Sequence, residues 1–270
     1  MTTTPSRPDR LYDGYIFDLD GTVYLGDALL PGAGEAFAAL LVAEKRMVFL
    51  SNNPTITCQE AAGRLTNLGL PTPPESVINS TQVLIGFMRR VLPGARLFVI
   101  GEAPLLTALE AAGFTLCDNP EAIDAVIASF DRTFTYSKLQ TAFDAIRAGA
   151  RFFATNGDRY CPVPGGGQPD AAAIIAAIEA CTGVPVEAIL GKPSLHMAAA
   201  ALVALQLPPD RCLMTGDRLE TDILMGLNAG MDTALTLTGA TTHAMAAASR
   251  IKPTYVVHSL EELIPQGEEK

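Results

Sequence analysis

The 270-residue chain predicts an α/β fold, doubly wound, Rossmann-like and mainly parallel, with a middle region that has its own α/β rhythm. Three observations carry that prediction. Short apolar runs alternate with longer stretches of helical period, the pattern of strands joined by crossover helices. Those runs stop repeatedly at small polar or acidic residues, as in Asp18-Leu19-Asp20-Gly21, Ser51-Asn52-Asn53, Thr155-Asn156-Gly157-Asp158 and Gly216-Asp217. The length and the 49% hydrophobic composition suffice for two domains of ordinary size.

Taken in order, Tyr15 to Phe17 reads as the first strand, aromatic and β-branched. Pro31 to Lys45 has helical spacing, with Phe37, Leu40 and Leu41 as its apolar positions, and Met47 to Leu50 is a buried strand. Thr57-Cys58-Gln59-Glu60 has the form of a capping box opening a helix to about Leu68. Leu70-Pro71-Thr72-Pro73-Pro74 closes that unit. A helix over Thr81 to Val91, a strand over Arg96 to Ile100, a helix with Pro104 in its first turn and a strand over Ala125 to Ser129 follow.

Ser137-Lys138-Leu139-Gln140 is a second capping-box pattern, opening a helix to Ala148, and Phe152 to Ala154 is the next strand. Cys161 to Pro169, with three prolines and three successive glycines, reads as an irregular loop. The series resumes with a helix over Asp170 to Cys181, a turn at Lys192-Pro193 and a helix over Ser194 to Leu205. A strand over Cys212 to Thr215, a helix from about Thr221 and a strand over Thr233 to Leu237 come next. Tyr255 to Val257 and a capped helix at Ser259-Leu260-Glu261-Glu262 end it.

The formal charge of −10 and the pI near 4.8 argue against nucleic acid as a partner, because phosphate backbones are bound through clustered Lys and Arg. An anionic substrate therefore needs a local positive site. The polar start MTTTPSRPDR is not a signal peptide, and the longest apolar run, Met197 to Leu205, is too short to cross a membrane. The five cysteines (Cys58, Cys117, Cys161, Cys181, Cys212) are scattered, odd in number and without a CxxC pair, as in free thiols of a reducing compartment. A soluble, cytoplasmic protein is expected.

In an open parallel sheet the carboxyl ends of the strands share one rim, where ligands bind. Asp18 and Asp20, Ser51 and Asn52, Lys192, and Asp217 with Asp222 all lie at strand ends or helix starts, and so can converge there. Residues i and i+2 of a strand point to the same side, which crowds Asp18 and Asp20 and calls for a cation such as Mg²⁺. Asp18, ionised at neutral pH, is the natural nucleophile for phosphorus. Asp20 would then act as general acid and base, and Gly21 would admit close backbone approach. An EF-hand is excluded, since Thr22 and Val23 stand where that loop needs an acid or amide and a glycine. Gly165-Gly166-Gly167 matches neither dinucleotide nor P-loop spacing and reads as a flexible loop. His196, His243 and His258 are unclustered, with His196 one turn into the helix after Lys192.

The motifs DLDGT, LSNN, GKP and GDRLETD, in this order, resemble those of the haloacid dehalogenase superfamily of aspartate-dependent phosphatases. More narrowly, FDLDGTVYLGDALLPGA, LSNNP, ATNGD and GDRLETDILMGLNAGMDTALTLTG resemble the group of 4-nitrophenyl, phosphoglycolate and pyridoxal phosphatases and NagD-type nucleotidases. The resemblance implies a core over residues 1–80 and 187–270 and an inserted α/β cap of the C2 type over 81–186. It implies Mg²⁺ held by Asp18, the Asp20 carbonyl and Asp217, with Asp222 supporting that site from behind. Ser51 and the Asn52 amide would hold the phosphate, and Lys192 would bridge it to Asp18. Asn156 and Asp158 in the cap resemble the segment that overhangs the substrate in this group. Pro169-Asp170-Ala171-Ala172-Ala173 departs from the family's small-residue run.

The implied reaction is Mg²⁺-dependent hydrolysis of a small phosphorylated metabolite through an aspartyl-phosphate. Related proteins dimerise through the cap, so a homodimer is the assembly the resemblance implies. Two rivals are a phosphotransferase or mutase using the same aspartate and a non-catalytic sensor of phosphorylated metabolites; retention of both Asp18 and Asp20 argues against the sensor. A dehydrogenase lacks its glycine fingerprint.

Overall fold

The computed structural model describes residues 7–163 and 166–265. The sequence readings placed on residues 1–6 and on Gly165 lie outside the described residues. Two compact units emerge: one takes the chain up to Ser51, Cys58–Ile78 and Met197 onward, and the other takes Asn52–Thr57 and Asn79–His196. The fold is the α/β class expected, a doubly wound core with an inserted α/β cap.

The first unit is built on a six-stranded sheet. Its order is Tyr255–Val257, Asp232–Thr236, Cys212–Gly216, Gly14–Asp18, Arg46–Ser51 and Val77–Asn79. Gly14–Asp18 is central and buried along its whole length, which is why it reads as an unbroken apolar run rather than an alternating one. Phe17 packs edge-on to Phe37 of the helix Ala33–Val42 at 4.8 Å and stacks with Phe49 of the next strand at 5.9 Å. The chain adds strands on one side of Gly14–Asp18, then returns to add Cys212–Gly216 on the other, and this reversal is the place where α/β sheets bind ligands. Parallel register sets Asp18 against Leu50 and Phe17 against Thr215. Ser51 and Asp217, one residue beyond those partners or two, therefore come to the same rim as Asp18.

The second unit has its own parallel sheet, ordered Ala188–Ile189, Arg151–Ala154, Ala125–Ala128, Arg96–Ile100 and Thr115–Leu116. Phe98, Ile100, Val126 and Phe152 from its strands meet Ile146, Ile174 and Ile178 from two of its helices in one buried cluster. No disulfide joins the five cysteines, and no helix among the described residues is long and apolar enough to cross a membrane.

Several elements differ from the sequence reading. Cys161 to Pro169 is not an irregular loop: Tyr160–Val163 and Gly166–Pro169 pair as an antiparallel hairpin. A two-stranded ribbon has only edge positions, so its prolines interrupt no central ladder. At Gly167 a Cβ would come within 2.7 Å of the Tyr160 ring, so glycine lets the two strands close. The helix Tyr136–Arg147 is capped by the Thr135 hydroxyl, which accepts from the Lys138 N–H, and not by Ser137. Leu260–Leu263 forms only a 3₁₀ turn, with Glu262 accepting from the His258 N–H instead of closing a capping box. The strands Val77–Asn79, Thr115–Leu116 and Ala188–Ile189 and the helix His243–Ala248 went unpredicted, all too short for a periodic signal.

Candidate active site

Asp18 is the last residue of the central strand and is buried. The strand stops there because the Leu19 carbonyl accepts from the N–H groups of Thr22, Val23 and Tyr24, at 3.2, 2.9 and 3.3 Å, and curls the chain. This breaks the i, i+2 relation that the sequence reading relied on. Asp20 lies beyond the strand, bridged to Tyr24 across the turn, and is exposed, whereas the carboxylates that crowd Asp18 are Asp217 and Asp222. One oxygen from each of the three lies within 4.8 Å of the others. The Thr22 hydroxyl, fully buried, donates to Asp18 Oδ2 at 3.3 Å and fixes its rotation. Ser51, also buried, ends the strand beside it.

Asp222 reaches this cluster because Leu219–Ile223 is a π-helical turn, wider than an α-turn, which brings its carboxylate back to accept from the Arg218 N–H at 3.1 Å. Asp217 is held by the N–H of Ala240 at 2.5 Å. Burial first, then the charges of Asp18 and Asp222, push its carboxyl up to about 7 against an ordinary 3.8. Its Oδ1 is buried without a hydrogen bond among the described residues. Three buried acids with oxygens gathered in one place, one of the acids carrying an unsatisfied oxygen, fit a hard divalent cation, whose preferred ligands are carboxylate oxygens.

Glycines make the room. Gly21 has φ +86°, a conformation that favours glycine, and a Cβ there would meet Asp217 Oδ2 at 2.7 Å. Side chains at Gly216 and Gly239 would overlap the carboxyl groups of Asp222 and Asp217. Gly21 is thus required by the acid cluster itself, a reason beyond the close approach expected from the sequence. The segment after the strand Asp232–Thr236 was missed: Thr238 donates to the Gly21 carbonyl at 2.7 Å, and Gly239 and Ala240 wrap Asp217. Its signal was available in Thr236-Leu237-Thr238-Gly239, a strand end that turns small and polar like the others.

In the second unit Asn52, Lys192 and Asp158 come together. Lys192 is buried and follows Gly191, whose N–H donates to the Thr155 carbonyl at 2.7 Å. The Asn52 side chain accepts from the Lys192 N–H at 2.7 Å and donates to the Lys192 carbonyl at 3.1 Å and to Asp158 Oδ2 at 3.0 Å. With both amide hydrogens so engaged, a phosphate contact from this residue would come from its backbone N–H. Asn156 is fully buried: its amide donates to Asp158 and Asp170, both at 3.1 Å, and its carbonyl accepts from Thr155. With its amide and carbonyl so engaged, Asn156 serves to place Asp158, which is partly exposed. His196 is exposed with its ring edge-on to Phe87 at 5.0 Å.

Known proteins carry the same pattern. The sequence profile of haloacid dehalogenase-like hydrolases matches residues 15–115, and a second profile of the same class, HAD-hydrolase-like, matches residues 189–263. The sugar-phosphatase AraL of Bacillus subtilis is 37% identical over 95% of this chain and 93% of its own. The chain belongs to the haloacid dehalogenase superfamily. Among solved structures of that superfamily, the 4-nitrophenylphosphatase of Thermotoga maritima superposes with a TM-score of 0.89 at 36% identity, covering 94% of this chain and 98% of its own. NagD of E. coli K-12 superposes with a TM-score of 0.85 at 30% identity over the same shares. This member is a phosphoric monoester hydrolase of the NagD and 4-nitrophenylphosphatase group, and its acid cluster lies at the carboxyl rim of the superfamily's core sheet.

Proposed function

We propose that this phosphatase hydrolyses small phosphate monoesters, sugar phosphates foremost, through an aspartyl-phosphate formed on Asp18. The observation that carries the reading is the central one. A buried carboxylate ends the middle strand, its rotation fixed by Thr22, beside two further buried carboxylates that fit a cation. Asp18, the Asp20 carbonyl and Asp217 would hold Mg²⁺, with Asp222 close enough to share in it. When bound, the ion offsets the charge of the phosphate and of the acids around it.

Asp18 attacks phosphorus as its Oδ1 or Oδ2 comes in line with the leaving oxygen. Asp20, outside the acid cluster and exposed, gives a proton to that oxygen and later takes one from the water that hydrolyses the intermediate. Ser51 and the Asn52 backbone N–H hold the phosphoryl oxygens, and the Lys192 ammonium adds the positive charge that a chain of net −10 otherwise lacks. Asp158 faces the organic part of the substrate. Support for sugar phosphates comes from the sugar-phosphatase relative; 4-nitrophenyl phosphate, the substrate named for the Thermotoga protein, is the convenient probe.

The test is phosphate release over a panel of sugar phosphates, nucleoside monophosphates, phosphoglycolate, pyridoxal phosphate and 4-nitrophenyl phosphate, with Mg²⁺ or with chelator. Release from sugar phosphates that needs Mg²⁺, and that Asp18→Asn abolishes without loss of fold, is expected. Turnover by Asp18→Asn at the wild-type rate would overturn the assignment of the nucleophile, and transfer to an added sugar in place of water would favour a phosphotransferase.

A further inference from the structure

Lys192 is buried, and its main chain is clamped by a single side chain. We infer that Asn52 is a positioning residue whose side chain sets the place of the Lys192 ammonium, an inference that rests on the proposed role of Lys192 at the phosphate. The amide of Asn52 meets both the N–H and the carbonyl of Lys192, at 2.7 and 3.1 Å, as one strand of a ladder meets another. Only one orientation of the amide satisfies this. The Lys192 N–H requires the oxygen, while the Lys192 carbonyl and the Asp158 carboxylate require the two N–H groups.

The clamp is anchored and tightly enclosed. Ser80, fully buried at the start of the helix Ser80–Val91, donates to the Asn52 carbonyl at 2.9 Å and fixes the residue from behind. In front, a Cβ on Gly191 would come within 2.5 Å of Asn52 Oδ1 and 2.8 Å of the Thr155 carbonyl, so only glycine before Lys192 leaves room for the amide. The same amide ties Lys192 to Asp158, whose Oδ2 also accepts from Asn156. Phosphate-binding lysine and cap-loop carboxylate thus share one clamp, and displacing it moves both.

A residue that acts through another loses its effect when the other is removed. The experiment is a double-mutant cycle of Asn52→Ala and Lys192→Ala, followed by kcat and KM for 4-nitrophenyl phosphate and by calorimetric binding of inorganic phosphate to the Mg²⁺-loaded enzyme. Misplacing a charged group by about 1 Å can cost on the order of 10²-fold, so Asn52→Ala should lower kcat/KM by about that factor and weaken phosphate binding. In the Lys192→Ala background the same change should cost the binding of inorganic phosphate nothing further, since that ligand has no organic part for Asp158 to meet. Gly191→Ala, which keeps Asn52 but displaces its amide, should reproduce the Asn52→Ala defect if that variant folds poorly. An equal loss with and without Lys192, or wild-type kinetics in both Asn52→Ala and Gly191→Ala, would overturn the inference. Wild-type kinetics in Lys192→Ala alone would instead remove the role of Lys192, and the role of Asn52 with it.

Discussion

At the scale of single residues, the acid cluster is shaped as much by absent side chains as by present ones. Gly239 carries no chemistry, yet a methyl group there would overlap the Asp217 carboxyl, which also takes an N–H from neighbouring Ala240. Gly239→Ala should therefore shift Asp217 and weaken Mg²⁺ activation by roughly 10- to 100-fold, the usual cost of disturbing groups behind a metal ligand. A Mg²⁺ titration of activity measures it, and an unchanged midpoint would show that the loop yields instead. The places of Asp18, Ser51 and Asp217 at the rim of the sheet were legible in the chain because Asp18 and Ser51 follow apolar runs directly and Asp217 is separated from one by two residues. Asp222 was harder to place: five positions after Asp217, it reaches the cluster through a π-helical turn, and nothing in Arg218-Leu219-Glu220-Thr221-Asp222 marks the wider winding. Thr22 and Gly239 were passed over because a threonine and a glycine in a loop read as turn chemistry.

At the scale of elements, the long strands and helices followed from pattern, and the short ones did not. Gly14–Asp18 and Cys212–Gly216 are buried along their whole length, and Arg96–Ile100 is mostly so after its first residue, which is why they read as apolar runs. The hairpin of Tyr160–Val163 with Gly166–Pro169 escaped because its proline and glycine content is the usual mark of a loop, and only pairing across the ribbon makes it a strand. The helix that follows it, Ala171–Thr182, is alanine-rich and apolar, and its start depends on Asp170. That carboxylate, largely buried, accepts from the Ala171 N–H at 2.5 Å and from Asn156 at 3.1 Å, so it caps the helix and holds the Thr155-to-Asp158 segment at once. Asp170→Ala should cost about 1–3 kcal/mol, a lost cap together with a buried amide left unsatisfied. Chemical denaturation gives the value. A loss of stability confined to a few tenths of a kcal/mol would mean that the helix start and the loop are held by other contacts.

At the scale of the whole molecule, the acid cluster sets how stability responds to pH and to cations. The Asp217 carboxyl is pushed up to about 7 in the folded protein, by burial foremost and then by Asp18 and Asp222, against 3.8 for an ordinary aspartate. Between those values the native state keeps a proton that the unfolded chain has released, so stability falls as pH rises through the window. The acids held below their ordinary range, Asp13 beside Arg211, Asp124 beside Arg96, Glu102 beside Arg132 and Glu187 beside Arg151, lose their contributions only below about 4.5 and leave the upper part of this window to Asp217. A net charge of −10 adds a diffuse repulsion of the same sign, which Asp217→Asn separates from the local effect. In chelator, the unfolding temperature should be lower at about pH 7.5 than at about pH 5.5, with the slope reduced in Asp217→Asn. Mg²⁺ held as proposed would bind the ionised carboxylates, so its stabilisation should be larger at the higher pH and largely lost in the variant. Equal Mg²⁺ stabilisation of wild type and Asp217→Asn would place the ion elsewhere and leave the three buried acids to be balanced by protons alone.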